Sequence, residues 1–318
     1  MANDRTFYAC QAIAVAILTP DANGNFTPAT DANYQFIHGV QSVGLNTTFD
    51  FDNIFELGQL EIYDTIVKIP QVEITVEKVL DNHPTIYSLA APTQNLLEDS
   101  KNRISVKFAI YKDTENAGVS TPEATVTCTG MYINNVSYTF PIDGPCTESI
   151  TLVGNDKQWS TDTLTIPADI SDENPGTIDE PAGGIVLARK DVTVSAPNSN
   201  KVQSVSLSMD LGREDLLQLG SQAPYARVPT YPVEVTAEIE CLSEEGDQIN
   251  ASEGQSVMPN ENSTISVTAG AYTISLGSKC FLTSVAFGGG DASGGNATDR
   301  FSYSTYNTFS MTHTPVGP

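Results

Sequence analysis

The chain is short of positive charge: 15 Lys and Arg stand against 39 Asp and Glu, a net charge of −24 over 318 residues. Gripping phosphate needs clustered Lys and Arg, so a nucleic-acid-binding surface is not expected. Histidine is scarce too. His38, His83 and His313 sit at no metal-ligand spacing, and neither HExxH nor CxxC occurs, which argues against the common zinc sites. The five cysteines, Cys10, Cys128, Cys146, Cys241 and Cys280, form no spaced pairs and leave one over. They read as reduced, buried thiols rather than a disulfide framework. No stretch approaches the roughly 20 apolar residues of a membrane helix. The apolar run Ala12–Leu18 follows Asp4 and is expected to be a buried strand, not a secretion signal.

Catalytic motifs are equally thin. The segment Gly39–Gly44 (GVQSVG) lacks the G-x-S-x-G spacing of a nucleophile elbow. Gly288–Gly295 does not follow G-x-G-x-x-G and has no basic residue close by before Arg300, so it reads as a turn. Asp21–Asn25 imitates the opening of a calcium loop, but Phe26 stands where Gly is required and Ala32 where the bidentate Glu belongs. The carboxylates Glu73, Glu77, Glu234 and Glu238 alternate along strands and recur in both halves of the chain. That fits a solvated face better than a glycosidase pair. A non-enzymatic chain without metal or cofactor is the expectation.

What the chain does have is Thr, Ser, Asn, Val and Gly in plenty, which favours β structure, and a copy of itself. Val40–Leu80 returns as Val202–Leu242. At a shift of 162, Val40-Gln41-Ser42-Val43 falls on Val202-Gln203-Ser204-Val205, Leu57-Gly58 on Leu219-Gly220 and Pro70 on Pro232. At 161, Val72–Glu77 (VEITVE) falls on Val233–Glu238 (VEVTAE), and Ile104-Ser105-Val106 on Ile265-Ser266-Val267. At 149, Asn135–Tyr138 falls on Ser284–Phe287. The period-2 alternation in Val72–Val79 and Val233–Glu240 predicts strands with one buried and one wet face. Further strands are predicted at Ile104–Tyr111, Tyr132–Phe140, Ile265–Tyr272 and Cys280–Phe287. Short helical turns are predicted at Asp52–Gly58 and Glu214–Gly220, and a longer helix within Pro84–Ser100. The extra residues of the first copy fall in Lys112–Gly130 and Thr19–Gln35, where loops should vary. The expected division is a first β domain at 1–166, an acidic Pro- and Gly-rich linker at 167–183, and a second β domain at 184–318.

The succession VQSVGLNTTFDFDNIFELGQLEIYD…IPQVEITVEKVLD (Val40–Asp81), followed by CTESITLVGNDKQW (Cys146–Trp159), resembles the major tail tube proteins of tailed bacteriophages, of the duplicated two-domain type. The second copy follows through VQSVSLSMDLGREDLLQLG…YPVEVTAEIE and Ser284–Asn307. The resemblance implies a mainly β chain of two tandem β-sandwich or open-barrel domains, each with a short helix. It implies a trimeric ring of pseudo-sixfold symmetry, stacked into a tube that conducts DNA, with no catalysis and no cofactor. Its partners would be further copies of itself, other tail proteins at the tube ends, a sheath where the tail contracts, and double-stranded DNA that passes without specific binding. No membrane is involved. Its place would be the virion tail, with assembly in the host cytoplasm. Glu73, Glu77, Glu234, Glu238 and Glu240 are the expected lumen-facing residues, because an acidic wall lets a polyanion slide. The rival reading is another virion or surface β-sandwich protein, such as a head–tail connector, a capsid decoration or an adhesin module.

Overall fold

A computed structural model gives the architecture of residues 4–6, 8–18, 26, 29–30, 33–164, 185–197, 201–290 and 295–314. The segment 167–183, Asp21–Asn25 and most of Thr19–Gln35 lie outside the described residues. The chain is mainly β, and its strands form antiparallel sheets. In the first half these are β1 (Gln11–Leu18), β2 (Gln35–Phe36), β3 (Val40–Thr48), β4 (Phe51–Phe55), β5 (Ile62–Val67), β6 (Gln71–Val79), β7 (Arg103–Ile110), β8 (Ala124–Pro141), β9 (Thr147–Gly154) and β10 (Gln158–Ser160). In the second half they are β11 (Val192–Ser195), β12 (Val202–Asp210), β13 (Arg213–Leu216), β14 (Ala226–Pro229), β15 (Glu234–Leu242), β16 (Ser266–Ala269), β17 (Tyr272–Ser275), β18 (Phe281–Gly288), β19 (Thr298–Tyr306) and β20 (Ser310–His313).

The duplication in the sequence is a duplication of pairing. In the first half β3, β6, β9 and the C-terminal part of β8 lie side by side, as β12, β15, β19 and β18 do in the second. A second layer runs β1, β7, N-terminal β8, β10 in the first half and β11, β16, β17, β20 in the second. The 18-residue β8 serves both layers, whereas its counterpart is split into β17 and β18. Alternation drives the sandwich. Val72, Ile74 and Val76 of β6 and Val235, Ala237 and Ile239 of β15 are buried on one face, together with Ile104, Ile150, Leu207 and Ile274. Each such Val, Leu or Ile side chain contributes about 1.5–3 kcal/mol by leaving water. The two halves share this core: Phe309 packs edge-on against Tyr87 at 5.1 Å and stacks near Tyr138 at 6.3 Å.

Several sequence expectations need revision. Asp52–Gly58 and Glu214–Gly220 are not helical turns but parts of β-hairpins, β4–β5 and β13–β14. Phe51, Ile54, Phe55, Ile62 and Ile66 favour extended pairing over a lone helical turn. Gly58 (φ +95°) and Gly220 (φ +88°) lie in the connections between the paired strands instead of capping helices. The predicted strand Ile265–Tyr272 is interrupted at Gly270, whose φ of +54° helps the chain double back between β16 and β17. The helix expected in Pro84–Ser100 is two short ones, α1 (Ile86–Ala90), capped by the Thr85 hydroxyl, and α2 (Leu96–Asp99), capped by Asn95. The corresponding Gly- and Asn-containing segment 244–263 carries no α-helix. The first copy's extra residues fall in the β7–β8 connection, and β8 begins at Ala124, six residues before the expected end of that loop. All five cysteines are free and buried. Burial pushes the Cys128, Cys146 and Cys241 thiols up to about 11.

Candidate assembly surfaces

In the chain's central contact, C-terminal β8 of the first half pairs antiparallel with β12 of the second, from Ser204 opposite Pro141 to Asp210 opposite Asn135. This joins the two four-stranded layers into one continuous sheet of eight strands, β3-β6-β9-β8-β12-β15-β19-β18. The sheet ends on β3 and β18, neither of which has an outer neighbour among the described strands. Exposed edges of this kind are templates for pairing with another chain.

One face of the sheet covers the core and the other is polar. All five acidic residues singled out in the sequence fall on the polar face. Glu73 and Glu77 of β6 stand opposite Asn46 and Ser42, and Glu238 and Glu240 of β15 stand opposite Ser206 and Ser204. Glu234 lies at the start of the same β15 row, opposite Tyr306. Between them run hydroxyls: Ser149 and Thr151 on β9, Ser137 and Thr139 on β8, Ser208 on β12. Arg300 lies in this face and is bound to Glu240 at 2.9 Å. A cleft of about 740 Å³ opens beside the free β3 edge, between Gln11, Phe36, His38 and Gln41.

Beneath the polar face lies a buried polar cluster that sequence reading missed. Glu148 accepts the backbone N–H groups of Ile86 (3.0 Å) and Tyr87 (3.2 Å) and the Tyr138 hydroxyl (2.8 Å). Lys78, also fully buried, donates to Asp81 at 3.1 Å and to the Pro84 carbonyl. Burial raises the Glu148 carboxyl above the ordinary glutamate range, against the opposing pull of Lys78 and its hydrogen bonds. Two of the histidines meet next to it, His38 stacking on His83 with centroids 3.9 Å apart, while His313 Nε2 is 2.7 Å from the Asn82 carbonyl. The strand alternation that hides Lys78 and the acidic residue at the same place in both halves (Glu148, Asp299) were the available signals.

Among the described residues no three His, Cys, Asp or Glu side chains are grouped to hold a metal ion, and no helix is long and apolar enough to cross a membrane. No protein-family model matches the chain, and no curated protein matches it. Among solved structures it is similar to a chain in a cryo-EM structure of the anti-feeding prophage baseplate, 6-fold symmetrised. The similarity covers 50% of this chain and 97% of that chain, at 13% identity and a TM-score of 0.35.

Proposed function

We propose that the chain is a non-enzymatic structural subunit of a phage tail tube. Three copies close into a ring of six sandwich repeats, and rings stack around a channel for DNA. The observation that carries this reading is the β8–β12 pairing. The repeat equivalents of those two strands are β18 and β3, the two free ends of the eight-stranded sheet. The chain therefore holds, once and internally, the contact that each copy would make with the next, and a heterologous contact that closes produces a ring. Closure removes both exposed edges.

The internal contact also supplies the register. Leu207 opposite Tyr138 and Ser208 opposite Ser137 translate to Leu45 opposite Phe287 and Asn46 opposite Ala286 of the next copy. Tyr138 is 1% exposed under its neighbouring strand, whereas Phe287 is 55% exposed at the free edge. The polar face with its glutamates would then line the channel. Other tail proteins would meet the tube ends, and the assembled protein would reside in the virion.

Paired antiparallel residues lie about 4.5–5.5 Å apart between Cα atoms, within disulfide reach. The double variant Asn46→Cys/Ala286→Cys should form, on mild oxidation, a covalent ladder that stops at three chains on a denaturing gel. Negative-stain images of the same sample should show hollow six-lobed rings. A protein that stays monomeric and uncrosslinked at high concentration would refute the ring.

A further inference from the structure

The hairpin β4–β5 carries an apolar surface that touches little of its own chain. Phe51, Phe55, Ile62, Ile66 and Val67 are each more than half exposed. Its repeat equivalent, β13–β14, has the same strand register at a shift of 162: Phe51 opposite Val67 corresponds to Arg213 opposite Pro229. Even a cross-strand detail recurs. Thr65 donates to Asn53 at 3.2 Å where Arg227 binds Asp215.

The second hairpin, unlike the first, is seated. Its base lies on the first half of the chain, where the Arg213 guanidinium donates to the Ile133 carbonyl (2.7 and 2.5 Å) and to the Ser100 carbonyl (2.6 Å). Arg227 reaches Asn155 at 3.3 Å, and Tyr231 meets the Ser100 hydroxyl at 3.1 Å. Pro229 is buried there, whereas the equivalent Val67 is 62% exposed. The chain thus displays one hairpin docked by its base across the neighbouring repeat and one whose apolar side chains stay exposed, with the Val67 carbonyl accepting from Gln222 at 3.3 Å.

We propose that the β4–β5 hairpin docks on the second half of the adjacent copy of this chain within the ring, as β13–β14 docks on the first half of its own. The inference rests on the ring closure proposed above and names a further surface of that contact. The seat follows from the repeat. Ile133, Asn155 and Ser100 correspond to Leu282, Tyr306 and Glu261. Tyr306 is itself about half exposed, and Val257 and Met258, which precede Glu261 by four and three residues, are more than half exposed.

The two seats differ as the two hairpins differ. A hairpin based on Arg213 and Arg227 meets carbonyl oxygens and Asn155, while one based on Phe51, Ile66 and Val67 meets Tyr306, Met258 and Val257. Covering those side chains removes apolar area from water on both partners, the main favourable term in association. The exchange of character also disfavours swapping the two hairpins, because an arginine seated on the apolar patch would lose its acceptors.

The test uses trimers locked by the Asn46→Cys/Ala286→Cys disulfide and held below the concentration at which rings stack. In these, chymotrypsin should cut the Phe51–Tyr63 segment about tenfold or more slower than in the reduced, diluted monomer, because cleavage follows the accessible population. In a separate variant, Thr65→Cys/Tyr306→Cys, a short bismaleimide should join neighbouring chains. Locked trimers whose hairpin is cut at the monomer rate and whose second pair gives no crosslink would overturn the docking while leaving the ring intact. Protection that arises only in stacked tubes would also overturn it, assigning the hairpin to the next ring. Absence of the first disulfide would instead defeat the ring reading itself.

Discussion

Glu148→Ala should cost the fold about 3–5 kcal/mol, because it strands several buried hydrogen-bond donors at about 1–3 kcal/mol each. The carboxylate holds the backbone N–H groups of Ile86 and Tyr87 and the Tyr138 hydroxyl, and its charge lies close to the buried Lys78. Alanine leaves two amide donors and the Tyr138 hydroxyl without that acceptor and removes a negative charge near Lys78, so the first turn of α1 should loosen before the strands do. Glu148→Gln keeps the shape and the acceptor oxygen and should cost less. The two variants should also separate in pH dependence. Burial raises the Glu148 carboxyl above its ordinary value, so the folded chain holds that proton more tightly than the unfolded chain. The stability tied to this group is therefore complete below the unfolded glutamate pKa and is lost as the pH rises through the folded one. Urea midpoints measured from pH 4 upwards should fall with pH more steeply in the native chain than in Glu148→Gln. Parallel curves would show that the group does not titrate differently on folding.

The repeats were legible because edge pairing and burial both act on short strings of residues. Val72–Glu77 and Val233–Glu238 keep their alternation because one face of β6 and of β15 must be apolar. That alternation was enough to place all five glutamates on the wet side. The hairpins were misread for a physical reason: Asp52–Gly58 and Glu214–Gly220 hold acidic residues, then apolar ones, then Gly, the order of a capped helical turn. What makes them strands is the partner seven to sixteen residues on, from Ile62 opposite Phe55 to Val67 opposite Phe51, which no local pattern states. The β8–β12 contact was out of reach for a similar reason. Its two strands are more than sixty residues apart and belong to different copies, so neither alternation nor spacing identifies the pair. Glu148 is in phase with the buried Ile150 and Leu152 of β9, so alternation already turns it inward. What the sequence does not state is that the N–H groups of α1 await it there.

If the polar face lines the proposed channel, reversing its charge should convert a surface with no grip on DNA into one that holds it. Glu73, Glu77, Glu234, Glu238 and Glu240 share that face, and replacing all five by Lys moves the chain from −24 by +2 at each of five sites, to −14. Four of the five are exposed at the surface and Glu240 is partly so, paired with Arg300, which limits the structural cost of the change. Native rings should retain no short duplex at any salt concentration, since no cluster of cations on this face can displace condensed counterions. Rings of the Lys variant should retain duplex at low salt and shield it from nuclease. If six to ten phosphates are engaged, affinity should fall by roughly 10³–10⁵ between 50 and 200 mM salt. Nuclease protection distinguishes a channel from an outer wall, because duplex bound outside would be retained but still digested. Variant rings that form normally and leave bound duplex open to digestion would place the acidic face on the exterior, and the channel lining would have to come from the β1–β7 layer instead.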